Sequence, residues 1–442
     1  MKNKTISILF IALFLIPCVS LSVGTCVFGS AQAAANERLA ESPAITTQEG
    51  DWNTNYLADL QQYINDRFFL RQKLITLDRR MSNLVGVSGE DSVIAGKGGW
   101  LFFTDTLGDY TGTQPMSARE LFGTASNLAL MDEYCRRNGK EFTFIITPNK
   151  NSLYGTYMPD YGVTAKTSNA EQIHGLLDQL GVSYVNLFDA FREQEEMLYF
   201  AHDSHWNSKG AALGADLINR SFGVETDYFG GDFSETVRHD GDLYAMVFPG
   251  AEDPETDPVY GGELNFAFTS KTTQPDAINL TTEGEGTGNL LCYRDSFGIL
   301  LFPYLADSYA SAKFSRLVSY DLTADADYVA VELVERNLRY LIRNIPVMPS
   351  PVRSMEISAA VSGSLAVSAA ENARTASGCV QWTGTLPVRP DVDACIYVVC
   401  GGTVYEAFCL ENDGFAVNVP EDAAPESIIY NIGGVPQMFQ IQ

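Results

Sequence analysis

Apolar and polar positions alternate along this chain with a period that changes from segment to segment, and the changes mark its elements. Helical spacing runs through Tyr56 to Phe68 and again through Leu70 to Leu84, where Arg71, Lys73, Arg79 and Arg80 make one face basic. Val93-Ile94-Ala95, a Gly-rich turn at 96–99, and Trp100-Leu101-Phe102-Phe103 predict a hairpin. A longer helix is predicted from Ser117 to Asn138, with Ser117 as N-cap, Glu120 three residues on, and Gly139 as its stop. Glu141 to Thr147 is a buried strand that ends at Pro148-Asn149-Lys150. Ala170 to Leu180 is helical, Tyr184 to Leu187 a strand, and Asp189 to Met197 helical. Ala211 to Ile218 forms another apolar helix, capped by Asn207 or Ser208. Strand character returns at Leu290–Tyr293, Lys313–Leu317 and Tyr328–Leu333.

Helix and strand thus alternate, which predicts an α/β fold: a parallel or mixed sheet with helices on both faces. Residues 229–287 are rich in Gly, Asp and Thr and read as a long irregular insertion. Pro346, Pro349 and Pro351 mark a linker. Beyond it, 352–442 switches to alternation of apolar and polar residues and predicts a small β-rich domain, a sandwich. The α/β unit therefore spans 52–345, preceded by a polar spacer at 34–51. Ahead of the spacer, Lys2 and Lys4 precede an apolar run from Ile6 to Phe28, followed by Ala31-x-Ala33. Residues 1–33 read as a signal peptide or, uncleaved, as an N-terminal membrane anchor; either places the remainder across a membrane.

Composition narrows the function. A hydrophobic content of 45% supports a substantial core, and a net charge of -26 with no basic cluster outside the N-terminus argues against nucleic-acid binding. Of eight cysteines, Cys379, Cys395, Cys400 and Cys409 cluster near the C-terminus; in an exported chain they predict one or two disulfides of undetermined pairing. Cys135 and Cys292 read as buried thiols. With neither CxxC nor HExxH present, no zinc site is expected, and no cofactor is called for.

Two stretches carry candidate chemistry. Asp203-Ser204-His205-Trp206 lies on a loop ahead of a helix, with a carboxylate two residues before an imidazole. Arg294-Asp295-Ser296 follows a buried strand and breaks into a turn, where a Ser hydroxyl is exposed and helix amides lie near for an oxyanion. Together they predict Ser296 as nucleophile, His205 as base and Asp203 as the group that fixes the imidazole tautomer. His202 points elsewhere on an extended backbone. Asn149 reads, from its place after Pro148, as a turn residue. Arg294 pairs with Glu335 or lines the site, and Glu335-Arg336 reads as a structural pair. Lys150 reads as a structural ion pair. Trp206 stacks on a sugar ring or packs beneath the loop.

These motifs resemble, in order, the DHHW/alginate O-acetyltransferase-like branch of the SGNH hydrolase superfamily. The resemblance takes in Asn65-Asp66-Arg67-Phe68, Gly96 to Phe102, Pro148-Asn149-Lys150 with Tyr154 and Pro159, Asp203 to Trp206 with Gly210-Ala211, Gly241-Asp242-Leu243, Arg294 to Phe297, and Glu335-Arg336. It implies a three-layer α/β/α, flavodoxin-like core, a Ser-His-Asp triad in which the Asp-x-His element precedes the Ser, and Asn149 as an oxyanion or substrate contact. It further implies O-acetylation of a surface or secreted polysaccharide, with a membrane-bound O-acyltransferase delivering the acyl group. An esterase, or a glycan-binding scaffold without catalysis, is the alternative expectation.

Overall fold

A computed structural model describes residues 40–46, 52–84, 91–164, 167–355, 359–374 and 378–442, with scattered positions between 15 and 27. Ala31-x-Ala33 and most of the apolar run before it lie outside these residues. Among the described residues no helix is long and apolar enough to cross a membrane.

The chain opens with helices α1 (Tyr56–Arg67) and α2 (Arg71–Leu84), then the hairpin β1 (Val93–Ala95) and β2 (Leu101–Phe103). Gly98 and Gly99 turn that hairpin with φ of 66° and 87°, a region closed to most side chains. Helix α3 (Ala118–Arg137) begins with the expected reciprocal cap. Ser117 accepts from the Glu120 amide, and Glu120 accepts from that of Ser117. Strand β3 (Glu141–Thr147), helix α4 (Asn169–Leu180) and strand β4 (Tyr184–Asn186) follow. The next helix covers only Leu187–Arg192, shorter than Asp189 to Met197, because Asn186 caps it early and the acidic run Glu193 to Glu196 leaves it at once. Helix α5 (Ser208–Ser221) is capped by Asn207, whose side chain accepts from the Gly210 amide.

The stretch read as irregular contains regular structure. Strands β5 (Phe233–Arg238) and β6 (Thr256–Tyr260) pair as a hairpin, while β7 (Phe266–Phe268) and β8 (Asn279–Gly284) join the main sheet. Their short, polar sequences hide this, because an edge strand buries little. Strand β9 (Asn289–Tyr293), helix α6 (Gly298–Ser308), strand β10 (Ser311–Ser315) and strand β11 (Tyr328–Val334) complete the α/β unit.

The sheet runs β4-β3-β11-β9-β10-β8-β7. The first five strands are parallel, β8 runs antiparallel to them, and β7 runs antiparallel to β8. Phe142, Phe144 and Ile146 of β3 face α3 and α4 in one apolar layer, while Ile145 joins Ala330 and Val334 against α5 and α6 in the other. Burial on both faces is why β3 and β11 are mostly apolar, with Thr143, Thr147 and Glu332 as buried exceptions. The three-layer α/β/α core expected from the motifs is present.

Nine strands, β12 (Val352–Arg353) through β20 (Val435–Ile441), build the β-rich C-terminal region. It is one continuous sheet rather than two: β17 (Thr403–Cys409) pairs with β16 (Ile396–Cys400) through 403–407 and with β18 (Gly414–Pro420) through 408–409. Asn127 of α3 ties this region down, exchanging hydrogen bonds with the Cys409 backbone and donating to Leu341. Among the described residues no disulfide joins the four clustered cysteines. Cys395, Cys400 and Cys409 are free thiols. Cys395 and Cys400 stand at opposite ends of β16, about 16 Å apart at strand rise. Cys409 meets the Arg119 guanidinium, and Cys379 lies in register with Pro420. Cys135 and Cys292 are the buried thiols expected.

Candidate active site

The carboxyl ends of β3, β9 and β11 come out side by side, where open α/β sheets place their sites. They are knitted together by buried carboxylates. Glu332 accepts from the Thr147 hydroxyl (2.6 Å) and from the Asp295 amide (3.1 Å), joining β11 to the ends of β3 and β9. Asp295 in turn accepts from the amides of Phe297 (2.9 Å) and Val334 (2.8 Å) and from Asn337 (3.2 Å). This fixes the turn that carries Ser296, and α6 starts two residues later. Ser296 opens on a pocket of about 190 Å³ that Arg294, Arg316, Tyr320, Asn337 and Tyr340 also line.

The Asp-x-His loop is clamped from three sides. Lys150, fully buried, donates to the carbonyls of Phe200, Ala201 and Asp203. Trp206 Nε1 donates to the Phe297 carbonyl at 3.0 Å, binding this loop directly to the serine turn. Gly210 lets α5 press against the chain, for a Cβ there would lie 2.4 Å from the Leu198 carbonyl oxygen. Between these clamps, His205 Nε2 is 2.8 Å from Ser296 Oγ, and His205 Nδ1 is 2.7 Å from Asp203 Oδ1. With Nδ1 donating to the carboxylate, Nε2 is the acceptor for the serine proton.

Electrostatics suit a base. Burial would lower the His205 pKa, but the Asp203 hydrogen bond and charge, with Asp242 adding to them, hold it above its ordinary value. Burial would raise Asp203, yet hydrogen bonds from His205 and His239 keep its carboxyl well below the usual carboxylate range. Asp242 is raised by burial and by the charge of Asp203.

Ser296, His205 and Asp203 are therefore brought together, and Arg294 shares the pocket of Ser296. Asn149 is buried at the N-cap position of the helical turn after β3, its amide nitrogen on Asp109 (3.3 Å) and its backbone N–H on Glu335 (3.0 Å). Arg294 lines the pocket but does not pair with Glu335; its guanidinium donates to the carbonyls of Pro275 and Asp295. Trp206 has no exposed surface, so it packs beneath the loop and cannot stack on a sugar. Lys150 serves carbonyls rather than a carboxylate, and Glu335 takes Asn149 and Ser152 rather than Arg336. Of the helix amides near Ser296, those of Phe297 and Ile299 are bonded to Asp295 and to the Ser296 carbonyl.

Two participants went unread. His239 Nε2 lies 2.9 Å from Asp203 Oδ2, and Asp242 accepts from the Ser204 amide and hydroxyl while its own N–H meets Asp203. Both come from the insertion, where only the Gly241-Asp242-Leu243 motif offered a signal. Two groups, His202-Asp253-Glu255 and Asp203-His205-Asp242, are close enough to hold a cation. In each, the carboxylate oxygens already accept from backbone amides, side-chain donors or both, as Glu255 does from Ala201 and His202, so the donor set is that of a hydrogen-bonded network.

Residues 93–265 match the family model described as "SGNH hydrolase-like domain, acetyltransferase AlgX". The match takes in Asn149, Asp203, His205, His239 and Asp242 and stops short of Ser296. No curated protein matches the chain. Among solved structures, PatB1 of Bacillus cereus is 17% identical with a TM-score of 0.42, covering 56% of this chain and 96% of that one. A DHHW family protein from Eubacterium siraeum is 17% identical with a TM-score of 0.41, covering 51% and 90%. AlgX of Pseudomonas aeruginosa is 13% identical with a TM-score of 0.37, covering 78% and 92%. At these scores no residue role is transferred from them. The family match agrees with the resemblance the motifs carry: over residues 93–265 the chain is similar to the SGNH hydrolase-like domain of AlgX-type acetyltransferases.

Proposed function

We propose that this protein is an exported O-acetyltransferase that modifies a cell-surface or secreted polysaccharide through an acyl-Ser296 intermediate. The observation that carries the reading is the unbroken chain of hydrogen bonds from Ser296 Oγ through His205 to Asp203. In the first half-reaction Ser296 Oγ attacks the acyl carbonyl, His205 Nε2 takes the serine proton, and the leaving group departs with that proton. In the second, His205 takes the proton of a sugar hydroxyl as its oxygen attacks the acyl-serine. Ser296 Oγ then leaves and recovers the proton. The acyl donor proposed is a membrane-bound O-acyltransferase, and the apolar run at 6–28 supports export or anchoring at the outer face of the cytoplasmic membrane.

Hydrolysis would use the same atoms with water as acceptor, so what separates transferase from esterase is exclusion of water and capture of a glycan. Intact-mass analysis after incubation with p-nitrophenyl acetate tests the reading, with Ser296→Ala beside the wild type. An acetyl adduct confined to the wild type is expected, together with acetyl transfer to added glycan oligomers. Ester turnover without transfer makes it an esterase. If wild type and variant are equally inert, with glycan or without, a scaffold role replaces catalysis.

A further inference from the structure

Asp203 is bonded on both of its oxygens, and only one belongs to the triad. Oδ1 accepts from the His205 amide (2.9 Å) and from His205 Nδ1 (2.7 Å). Oδ2 accepts from the Asp242 amide (3.0 Å) and faces His239 Nε2 at 2.9 Å. One carboxylate thus stands between two imidazoles, one from the Asp-x-His loop and one from the insertion.

His239 is held for this contact. It directly follows β5, its N–H donates to the Glu255 carbonyl (2.9 Å), and its ring lies flat on Phe200, with centroids 3.7 Å apart and planes 1° apart. Phe200 itself sits three residues before Asp203. Three acidic groups face His239. Glu255 is occupied by the amides of Ala201 and His202, and Asp257 by the amide and hydroxyl of Ser208. That leaves Asp203 as the carboxylate its ring nitrogen meets among the described residues. Arg238 next to it turns outward to Asp240 and Glu252.

We propose that His239 is a positioning residue of the triad: by donating Nε2–H to Asp203 Oδ2 it stops the carboxylate from rotating and divides its hydrogen-bonding strength between two histidines. The inference rests on the acyl-transfer reading above and extends it to the insertion, which becomes part of the catalytic apparatus rather than a surface elaboration. A carboxylate that already accepts a second strong hydrogen bond is a weaker partner for His205. His205 is therefore less basic than a lone Asp-His pair would make it, and stays neutral, hence competent, to lower pH.

The test compares His239→Ala and His239→Gln with wild type, using p-nitrophenyl acetate as donor. His239→Ala should lose about tenfold in kcat, the lower range for a hydrogen bond to a charged group, with KM unchanged. The acid limb of its kcat/KM profile should move to higher pH, because Asp203 then serves one imidazole instead of two. His239→Gln restores a donor at nearly the same place and should recover most of the rate with the limb near that of wild type. An Ala profile that superimposes on wild type, or a folded Gln variant no better than Ala, overturns the proposal.

Histidine-labelled ¹⁵N spectra of the wild type give a reading independent of folding in the variants. A proton on His239 Nε2, shielded from exchange at pH 7, is expected, and its absence would also overturn the proposal. Should the wild type form no acyl-serine at all, the catalytic reading falls, whereas these spectra still decide the hydrogen bond.

Discussion

Ser296 and His205 act on one proton, so removing either should abolish turnover to a similar degree. We expect Ser296→Ala and His205→Ala each to lower kcat by about 10⁴-fold or more, with the double variant no worse than either single one. Turnover also needs His205 neutral. Since its pKa is held above the ordinary value, kcat/KM should fall as pH drops through a point above about 6.5; a limb centred below that would contradict the Asp203 contact. Trp206→Phe removes the donor from the Phe297 carbonyl and should cost roughly 1–3 kcal/mol in urea denaturation. It should also slow acylation, because the two loops lose their direct tie. Asp203, His205 and Ser296 were legible because each sits in a local pattern that chemistry restricts. His239 was not: nothing near Arg238-His239-Asp240 hints at a partner 36 residues away. Nor does sequence distinguish an indole aimed at a sugar from one buried whole.

Among the helices, α5 carries the sharpest contrast between two neighbouring positions. Asn207→Ala removes a cap and should destabilise by about 1 kcal/mol. Gly210→Ala places a methyl against a backbone carbonyl that cannot move aside, and should cost more than the cap variant. If thermal melts reversed that order, the close approach of α5 to Leu198 would be wrong. Caps and buried parallel strands were readable for the same reason: both need particular residues over a few positions. Ser117 with Glu120 and the run Phe142 to Ile146 are such cases. Strands β7 and β8 were not, since Asn279 to Gly284 gains its place from β10 and Phe266-Ala267-Phe268 only from β8. The disulfide expectation failed similarly, because clustering in sequence says nothing of strand register.

Across the assembled α/β unit, buried carboxylates make stability depend on pH. Burial pushes Glu332 up to about 8 and Glu335 up to about 7. Each binds its proton more tightly folded than unfolded, so its contribution is lost as pH rises through those values. His205 and His239, also raised, act in the same direction. Lys150, lowered to about 8 by burial, opposes them only near and above that pH. The melting temperature should therefore fall between pH 6 and 7.5, and a flat or rising curve would count against these buried carboxyls.

The strand that carries Glu332 also sets a timetable. In chain order β11 is the last strand of its sheet, yet it lies in the middle, and β3 and β9 are joined only through it. A chain emerging N-terminus first has released Asp203, His205 and Ser296 well before residue 328. At that moment it holds two half-sheets, each with a bare inner edge, and no common platform to align those side chains. Fragments ending before β11 should remain inactive and aggregation-prone, and supplying 328–345 in trans should rescue them. The late arrival of one seven-residue strand thus keeps the nucleophile idle until the whole α/β unit has been delivered.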